Sequence, residues 1–139
     1  MIVLDTNVIS EVTRRTPSPE VVAWIGRHSR ELVTTTVTMW ELLYGVERLP
    51  VGARRVELAR DIERLFAAMP EVLVFDAAAA RAAAVMRARR EALGRPVRSA
   101  DLQIAGICAA NGAAVATRNV DDFDDLGIDV INPWVEGWG

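Results

Sequence analysis

The chain has 139 residues, of which 51% are hydrophobic and 25% charged, and its formal net charge is −3. This length and composition favour a single soluble globular domain spanning residues 1–139, with a sizeable core. The weakly acidic balance excludes a protein that is basic over its whole surface, so any site for a nucleic acid has to be local. All 16 Lys and Arg positions are arginine.

Short apolar strands alternate with helices along the chain. The first strand covers residues 2–4, and helices follow it at 7–13 and 19–28. The other predicted strands are 32–36, 72–75, 113–116 and 128–131, and the other predicted helices are 38–49, 53–68, 77–92 and 100–111. This alternation predicts a three-layer α/β/α sandwich with a central, mainly parallel sheet.

Several residues indicate how these elements begin and pack. Thr38 and Ser99 are expected to cap the helices that follow them. The apolar faces that carry Trp24, Trp40 and Tyr44 could be core or a partner surface, and core is the safer assignment for any one of these aromatic side chains.

The cysteine and the apolar segments indicate a cytoplasmic protein. Cys108 is the only cysteine, so no intrachain disulfide is possible, and we expect it to pack within a helix. The longest apolar stretch, residues 104–117, is interrupted by Asn111 and Gly112 and is too short to span a bilayer.

Carboxylates recur at predicted strand ends and helix starts. Asp5 closes the first strand, and Glu41 and Asp101 lie in the first turns of their predicted helices. Asp121 and Asp122 follow the strand that ends at Ala116. In a doubly wound sheet these positions share the carboxyl edge, where ligands bind. Acidic residues are also common in first helical turns because they stabilise the helix dipole, so the argument depends on all four positions together.

Clustered carboxylates need compensation. Two of them about 4 Å apart repel by roughly 4 kcal/mol at an effective dielectric near 20, so a cluster takes up a proton or a cation. Oxygen ligands without His or Cys suit Mg²⁺ or Mn²⁺, and such sites commonly act on phosphate esters. The sequence therefore predicts a site for metal-assisted hydrolysis.

Five segments resemble one known family over nearly the whole chain. They are Val3–Ser10, Glu41–Val46, Ser99–Asp101 with Ile104 and Ala105, Ala116–Asn119 with Asp122 and Phe123, and Asn132–Trp134. In this order and at these spacings the chain resembles the PIN domain. Within that family it is similar to the VapC-type toxins of bacterial toxin–antitoxin pairs, nearest the FitB-like branch.

The resemblance implies an α/β/α sandwich with Mg²⁺- or Mn²⁺-dependent ribonuclease activity. Asp5 and Asp101 match the core metal ligands of the family, and Glu41 matches its third acid. The family places a fourth carboxylate either at the position of Asn119 or at that of Asp122, and we expect Asp122 here because Asn119 is neutral. The residues expected to support these acids by hydrogen bonding are Thr6, Asn7, Ser99, Thr117 and Asn119.

An RNA substrate needs basic groups at the rim of an acidic pocket. Residues 81–98 contain six arginines against one acid, Glu91, although a solvated helix face would look the same. Arg95, Arg98 and Arg118 are the predicted phosphate contacts. The resemblance further implies a homodimer and a small antitoxin that masks the site.

Three other classes of protein share part of this pattern. A haloacid-dehalogenase-like phosphatase also begins with a strand-end Asp, but it needs a second Asp two residues later and a Lys, where this chain has Asn7 and no Lys. The absence of Lys also argues against a phospho-receiver domain. A catalytically inactive PIN-like module that binds nucleic acid or protein is left open by the neutral Asn119.

Overall fold

The computed structural model describes residues 1–135. In chain order the elements are β1 (Ile2–Leu4), α1 (Thr6–Val12), α2 (Pro19–His28), β2 (Leu32–Thr35), α3 (Thr36–Glu47), α4 (Ala53–Ala68), β3 (Val72–Leu73), α5 (Ala77–Ala92), α6 (Ser99–Asn111), β4 (Ala114–Ala116), α7 (Val120–Phe123) and β5 (Val130–Ile131). None of the helices in this part of the chain is long and apolar enough to cross a membrane.

Within residues 1–135, five strands form one sheet in the order β3-β2-β1-β4-β5, and every neighbouring pair is parallel. The central strand is β1, where Val3 pairs with Val33 of β2 on one side and with Val115 of β4 on the other. The chain therefore reverses its direction of travel across the sheet at β1. The predicted parallel α/β/α architecture is confirmed.

Alternating side chains of β1 face two separate cores. Val3 packs in a core with α5, α6 and α7, whereas Ile2 and Leu4 pack in a second core with α1, α2, α3 and α4. Cys108 is buried in the first core, where burial raises the pKa of its thiol to about 12. This confirms its expected role in packing.

The start of α3 differs from the prediction. Thr35, not Thr38, is the N-cap, because β2 runs directly into α3 and the Thr35 hydroxyl accepts a hydrogen bond of 3.0 Å from the Thr38 amide. Glu41 is consequently the sixth residue of α3 and lies in its second turn, not its first.

The start of α6 also differs. Ser99 is its first helical residue, and Arg98 occupies the N-cap position without a side-chain cap hydrogen bond. The aromatic prediction was right for Trp24, which is buried, and wrong for Trp40 and Tyr44, whose exposed fractions are 66% and 58%. Both project outward from α3 at helical i, i+4 spacing, so they form an exposed face instead of core.

Close packing of α5 against α6 holds the start of α6 in place. Gly106 lies where a Cβ atom would collide with the carbonyl of Ala79 and approach the Cβ of Ala83 to 2.9 Å. The absence of a side chain at Gly106 therefore permits a short interhelical distance. Asp101 lies in the first turn of the same helix.

Candidate active site

Asp5 lies at the carboxyl end of the central strand, where β1 gives way to α1. Its amide donates to the carbonyl of Ala116 at the end of β4 (2.9 Å), so it sits between the two strands at which the chain reverses direction. Open α/β sheets bind their ligands in this crevice. Asp5 is also the N-cap of α1, and its Oδ1 accepts the Thr6 amide at 2.8 Å.

The second carboxylate oxygen of Asp5 is held by polar side chains. The Thr117 hydroxyl donates to it at 2.8 Å and the Asn7 amide at 3.2 Å. Thr117 in turn accepts from the Asn7 side chain (3.2 Å) and the Asn119 backbone amide (3.0 Å). Burial raises the pKa of Asp5, and the hydrogen bonds from Thr117 and Thr6 only partly offset this.

Glu41 approaches the same crevice from α3. The Thr6 hydroxyl donates to its Oε1 at 2.6 Å, which fixes one end of the carboxylate. Its charge further raises the pKa of Asp5, although less than burial does. Thr6 therefore couples Asp5 to Glu41, since its backbone amide binds the first and its hydroxyl the second.

Asp101 is the most deeply buried acid of the site, with no exposed surface. Burial raises its pKa to about 6, and the negative charges of Asp5 and Asp122 act in the same direction. A hydrogen bond from Arg98 and the positive charge of that residue oppose the shift. Asp101 is therefore a carboxylate whose charge the fold itself compensates incompletely.

Arg98 spans two of these acids. Its Nη2 lies 3.1 Å from Asp101 Oδ1 and its Nε lies 3.4 Å from Asp101 Oδ2, and the same Nη2 is 3.5 Å from Glu41 Oε2. The hydrogen bond and charge of Asp101, together with the charges of Glu41 and Asp5, raise the pKa of Arg98. One guanidinium therefore serves as counter-charge for the whole acidic cluster.

Asp5, Glu41 and Arg98 border an open pocket of about 450 Å³, and the buried Asp101 lies behind Arg98 and does not line it. It is lined by Asp5, Thr6, Asn7, Ser10, Glu11, Arg14, Glu41, Arg98 and Asn119. The arrangement presents carboxylates and hydroxyls at the end of a parallel sheet, with basic groups at the rim.

A family comparison connects this geometry to known proteins. The PIN domain family matches residues 2–128, which is most of the chain. The chain belongs to the PIN domain family.

Several known proteins are similar to this chain over nearly its full length. The chain is 43% identical to the plasmid stability protein StbB of Pseudomonas syringae (96% of this chain, 99% of that one) and 40% identical to the VapC ribonuclease Y4jK of Sinorhizobium fredii (96% and 98%). Toxin FitB of Neisseria gonorrhoeae is 36% identical (96% and 99%). The crystal structure of FitAcB from Neisseria gonorrhoeae is similar with a TM-score of 0.90 at 33% identity, covering 97% of this chain and 99% of that one.

Asp122, the predicted fourth acid of the PIN domain, lines an adjoining pocket of about 390 Å³. That pocket shares Asn119 with the first one and also contains Arg118 and Asp121. The negative charge of Asp122 contributes to the raised pKa of Asp101. The assignment of Asp122 as the fourth acid stays a prediction.

Three other predicted residues lie away from the first pocket. Ser99 accepts from Gln103 at 3.4 Å and borders a neighbouring groove lined by Trp40 and Tyr44. Arg95 forms a 2.8 Å ion pair with Asp125, and Arg118 stacks on Trp134 at 5.0 Å from the ring centre.

Sequence reasoning missed three residues that line the pocket, Ser10 and Glu11 on α1 and Arg14 just beyond its end. They follow Asn7 at spacings of three, four and seven, which is the helical signal that would have placed them on the same face. Glu11 is buried and binds the Ser18 amide at 2.9 Å and Arg14 at 3.3 Å, so its charge is already compensated.

The atoms of this site that could coordinate a metal ion are carboxylate and hydroxyl oxygens, which Mg²⁺ and Mn²⁺ prefer. Burial raises the pKa values of Asp5 and Asp101, and a bound cation would stabilise their negative charges. In the arrangement seen across residues 1–135, no three His, Cys, Asp or Glu side chains are grouped closely enough to hold one metal ion. Arg98 is the positive group that contacts the acids here.

Proposed function

We propose that this PIN domain is a metal-dependent ribonuclease that hydrolyses RNA phosphodiester bonds and acts as the toxin of a type II toxin–antitoxin pair. The observation that carries the proposal is the acidic cluster at the carboxyl edge of the sheet, in which Asp5 and Asp101 are buried and Glu41 faces the pocket. The VapC ribonuclease and the toxin among its relatives support this reading over full-length matches.

Asp5, Asp101 and Glu41 are the residues that would hold Mg²⁺ or Mn²⁺. When bound, such an ion supplies positive charge beside the phosphate and lowers the pKa of a water molecule. The raised pKa values of Asp5 and Asp101 express the same need for positive charge that this binding satisfies.

Hydrogen bonds within the chain orient the Asp5 and Glu41 carboxylates. Asp5 is held at both oxygens, by the Thr6 amide on one side and by Thr117 and Asn7 on the other, so its carboxylate is fixed before any ligand arrives. Glu41 accepts a hydrogen bond from the Thr6 hydroxyl at Oε1, and its Oε2 lies 3.5 Å from Arg98. A carboxylate of the site, Glu41 or Asp122, would orient the attacking water and accept its proton.

RNA enters over a rim that is partly basic. Arg14 and Arg98 line the pocket itself, and Arg118 lines the adjoining pocket, where its guanidinium lies over Trp134. These positions suit contacts to the phosphates on either side of the scissile bond, which fix register without reading sequence. Arg95 contributes less, since it lines neither pocket and is ion-paired to Asp125.

The partners follow from the family and the exposed surfaces. We infer a small antitoxin that masks the acidic pocket and a homodimer, for which the exposed Trp40 and Tyr44 of α3 offer an apolar face. We place the protein in the cytoplasm together with its RNA substrate. An inactive binding module is not favoured, because Asp5, Glu41 and Asp101 are all present.

The test is cleavage of a panel of structured RNAs in Mn²⁺, with the wild type compared with Asp5→Asn. Loss of one ligand should lower the rate by at least about 100-fold, since even residues behind metal ligands are worth about 10- to 100-fold. Chelation by EDTA should abolish cleavage by the wild type.

A matched control is Asp76→Asn. Asp76 is also a helix N-cap, accepting the Ala79 amide at 2.9 Å, but it lies at α5 and outside the pocket. Asparagine caps helices as well as aspartate does, so both variants should fold. Cleavage by Asp5→Asn at the rate of Asp76→Asn would refute the assignment, and a wild type that cuts no RNA would favour the binding module.

A further inference from the structure

Arg98 touches the oxygen atoms that a metal ion would need. It binds both carboxylate oxygens of Asp101, at 3.1 and 3.4 Å, and approaches Glu41 Oε2 at 3.5 Å. Asp101 has no exposed surface, whereas the Arg98 side chain that binds it is 63% exposed, so Arg98 connects the buried carboxylate to the solvent side of the site.

We propose that Arg98 is a built-in counter-cation of the acidic cluster, and that it and a divalent metal ion are mutually exclusive occupants of the Asp101 and Glu41 oxygens. Binding of the ion then requires the Arg98 guanidinium to swing away. Arg98 thus lowers the affinity of the site for metal and stabilises the protein while it is metal-free. This inference rests on the metal site of the proposed function.

Charge and crowding support exclusion. A guanidinium and a divalent cation on the same carboxylate oxygens would be like charges in contact, in a region where burial already weakens solvent screening. Arg98 donates to both carboxylate oxygens of Asp101, which are the atoms that would coordinate the ion. Either cation compensates Asp101, but the two compete for the same atoms.

The position of Arg98 permits the movement. Its side chain is 63% exposed, so it can turn into solvent without opening the core. It stands at the N-cap position of α6, directly after the turn that contains Gly94 and Pro96, and its side chain makes no cap hydrogen bond there. Moving it therefore breaks its contacts with the acids but leaves the helix start intact.

The experiment is isothermal titration of metal-free protein with Mn²⁺. Arg98→Gln should bind Mn²⁺ about tenfold more tightly than the wild type, a common size for coupling between two ligands. The metal-free variant should also melt at a lower temperature than the wild type, since its carboxylates lose their counter-charge, and should gain more from added Mn²⁺.

Arg95→Gln is the matched control, because Arg95 lies in the same segment and is ion-paired, but to Asp125 and outside the pocket. Its Mn²⁺ affinity should equal that of the wild type. A direct readout is the ¹⁵N resonance of Arg98 Nε, identified by its absence in Arg98→Gln, which should shift when the wild type is saturated with diamagnetic Mg²⁺.

The outcomes separate this inference from the proposed function. Mn²⁺ affinity that is unchanged or weaker in Arg98→Gln, or an Arg98 resonance unmoved by saturating Mg²⁺, would overturn the inference while leaving RNA cleavage to be judged by Asp5→Asn. Failure of every variant to bind Mn²⁺ would overturn both the inference and the metal site.

Discussion

Replacement of Arg90 by methionine should destabilise the protein by about 3 kcal/mol. Arg90 is only 3% exposed and donates three hydrogen bonds, to the carbonyls of Arg95 (2.9 Å), Asp124 (2.6 Å) and Asp121 (3.0 Å). Methionine fills similar space but leaves these carbonyls without their donor. At about 1 kcal/mol for each net hydrogen bond, the loss sums to about 3 kcal/mol.

The measurement is urea unfolding of Arg90→Met beside Arg89→Met. Arg89 is the neighbouring exposed residue of α5, so its replacement controls for loss of charge and helix propensity. For a chain of this length the melting temperature of Arg90→Met should fall by about 10 °C. A loss of stability no larger than that of Arg89→Met would show that the turn carrying Asp122 is held by other contacts.

Three further outcomes are expected. Gly106→Ala should lower the free energy of unfolding by about 1–3 kcal/mol, because the new methyl group would lie 2.9 Å from a side chain of α5. Gly26→Ala, at an open helix position, should raise the free energy of unfolding by up to about 1 kcal/mol. Equal stability of the two variants in urea unfolding would contradict this. The pKa of Asp101 is raised from 3.8 to about 6 on folding, so its contribution to stability should fall as the pH rises from about 4 to about 6. Unfolding titrations of Asp101→Asn should show a smaller fall than the wild type, the remainder coming from the raised pKa of Asp5, and parallel pH profiles would be inconsistent with the shift. Thr117→Val removes the 2.8 Å hydrogen bond to Asp5 and should lower RNA cleavage about 10- to 100-fold, while an unaltered rate would deny it a role in orienting Asp5.

The architecture and the central acid followed from local patterns. A three-residue apolar strand that ends on Asp5 specifies both the buried strand and the N-cap of α1, and parallel pairing then brings Thr117 beside it. Because parallel strands share one carboxyl edge, the approach of Asp5 to Asp101 could be anticipated from the order of elements alone.

Tertiary contacts decided what the patterns missed. Thr35 and Thr38 are both good caps, and only the direct junction of β2 with α3 selects Thr35. Arg90 and Arg98 belong to one arginine-rich segment, yet Arg90 is buried and hydrogen-bonds to backbone carbonyls, whereas Arg98 contacts the acids of the site. Arg90 binds the Asp121 and Asp124 carbonyls, 31 and 34 residues away, and Arg98 contacts Glu41 on α3, so local spacing does not reveal these partners.

The exposed aromatics show the same limit. Trp40 and Tyr44 have the composition of core residues, but the face of α3 on which they lie points away from both cores. Periodicity identifies a helix face, and only packing tells which face is covered.

The most direct test of the central claim is anomalous diffraction from crystals of the wild-type protein soaked in Mn²⁺. The account predicts a manganese peak at the carboxyl end of β1, coordinated by Asp5 and Asp101, with the Arg98 guanidinium displaced from Asp101. Crystals saturated with Mn²⁺ that show no peak in this pocket, or that show one only at surface carboxylates elsewhere, would contradict it.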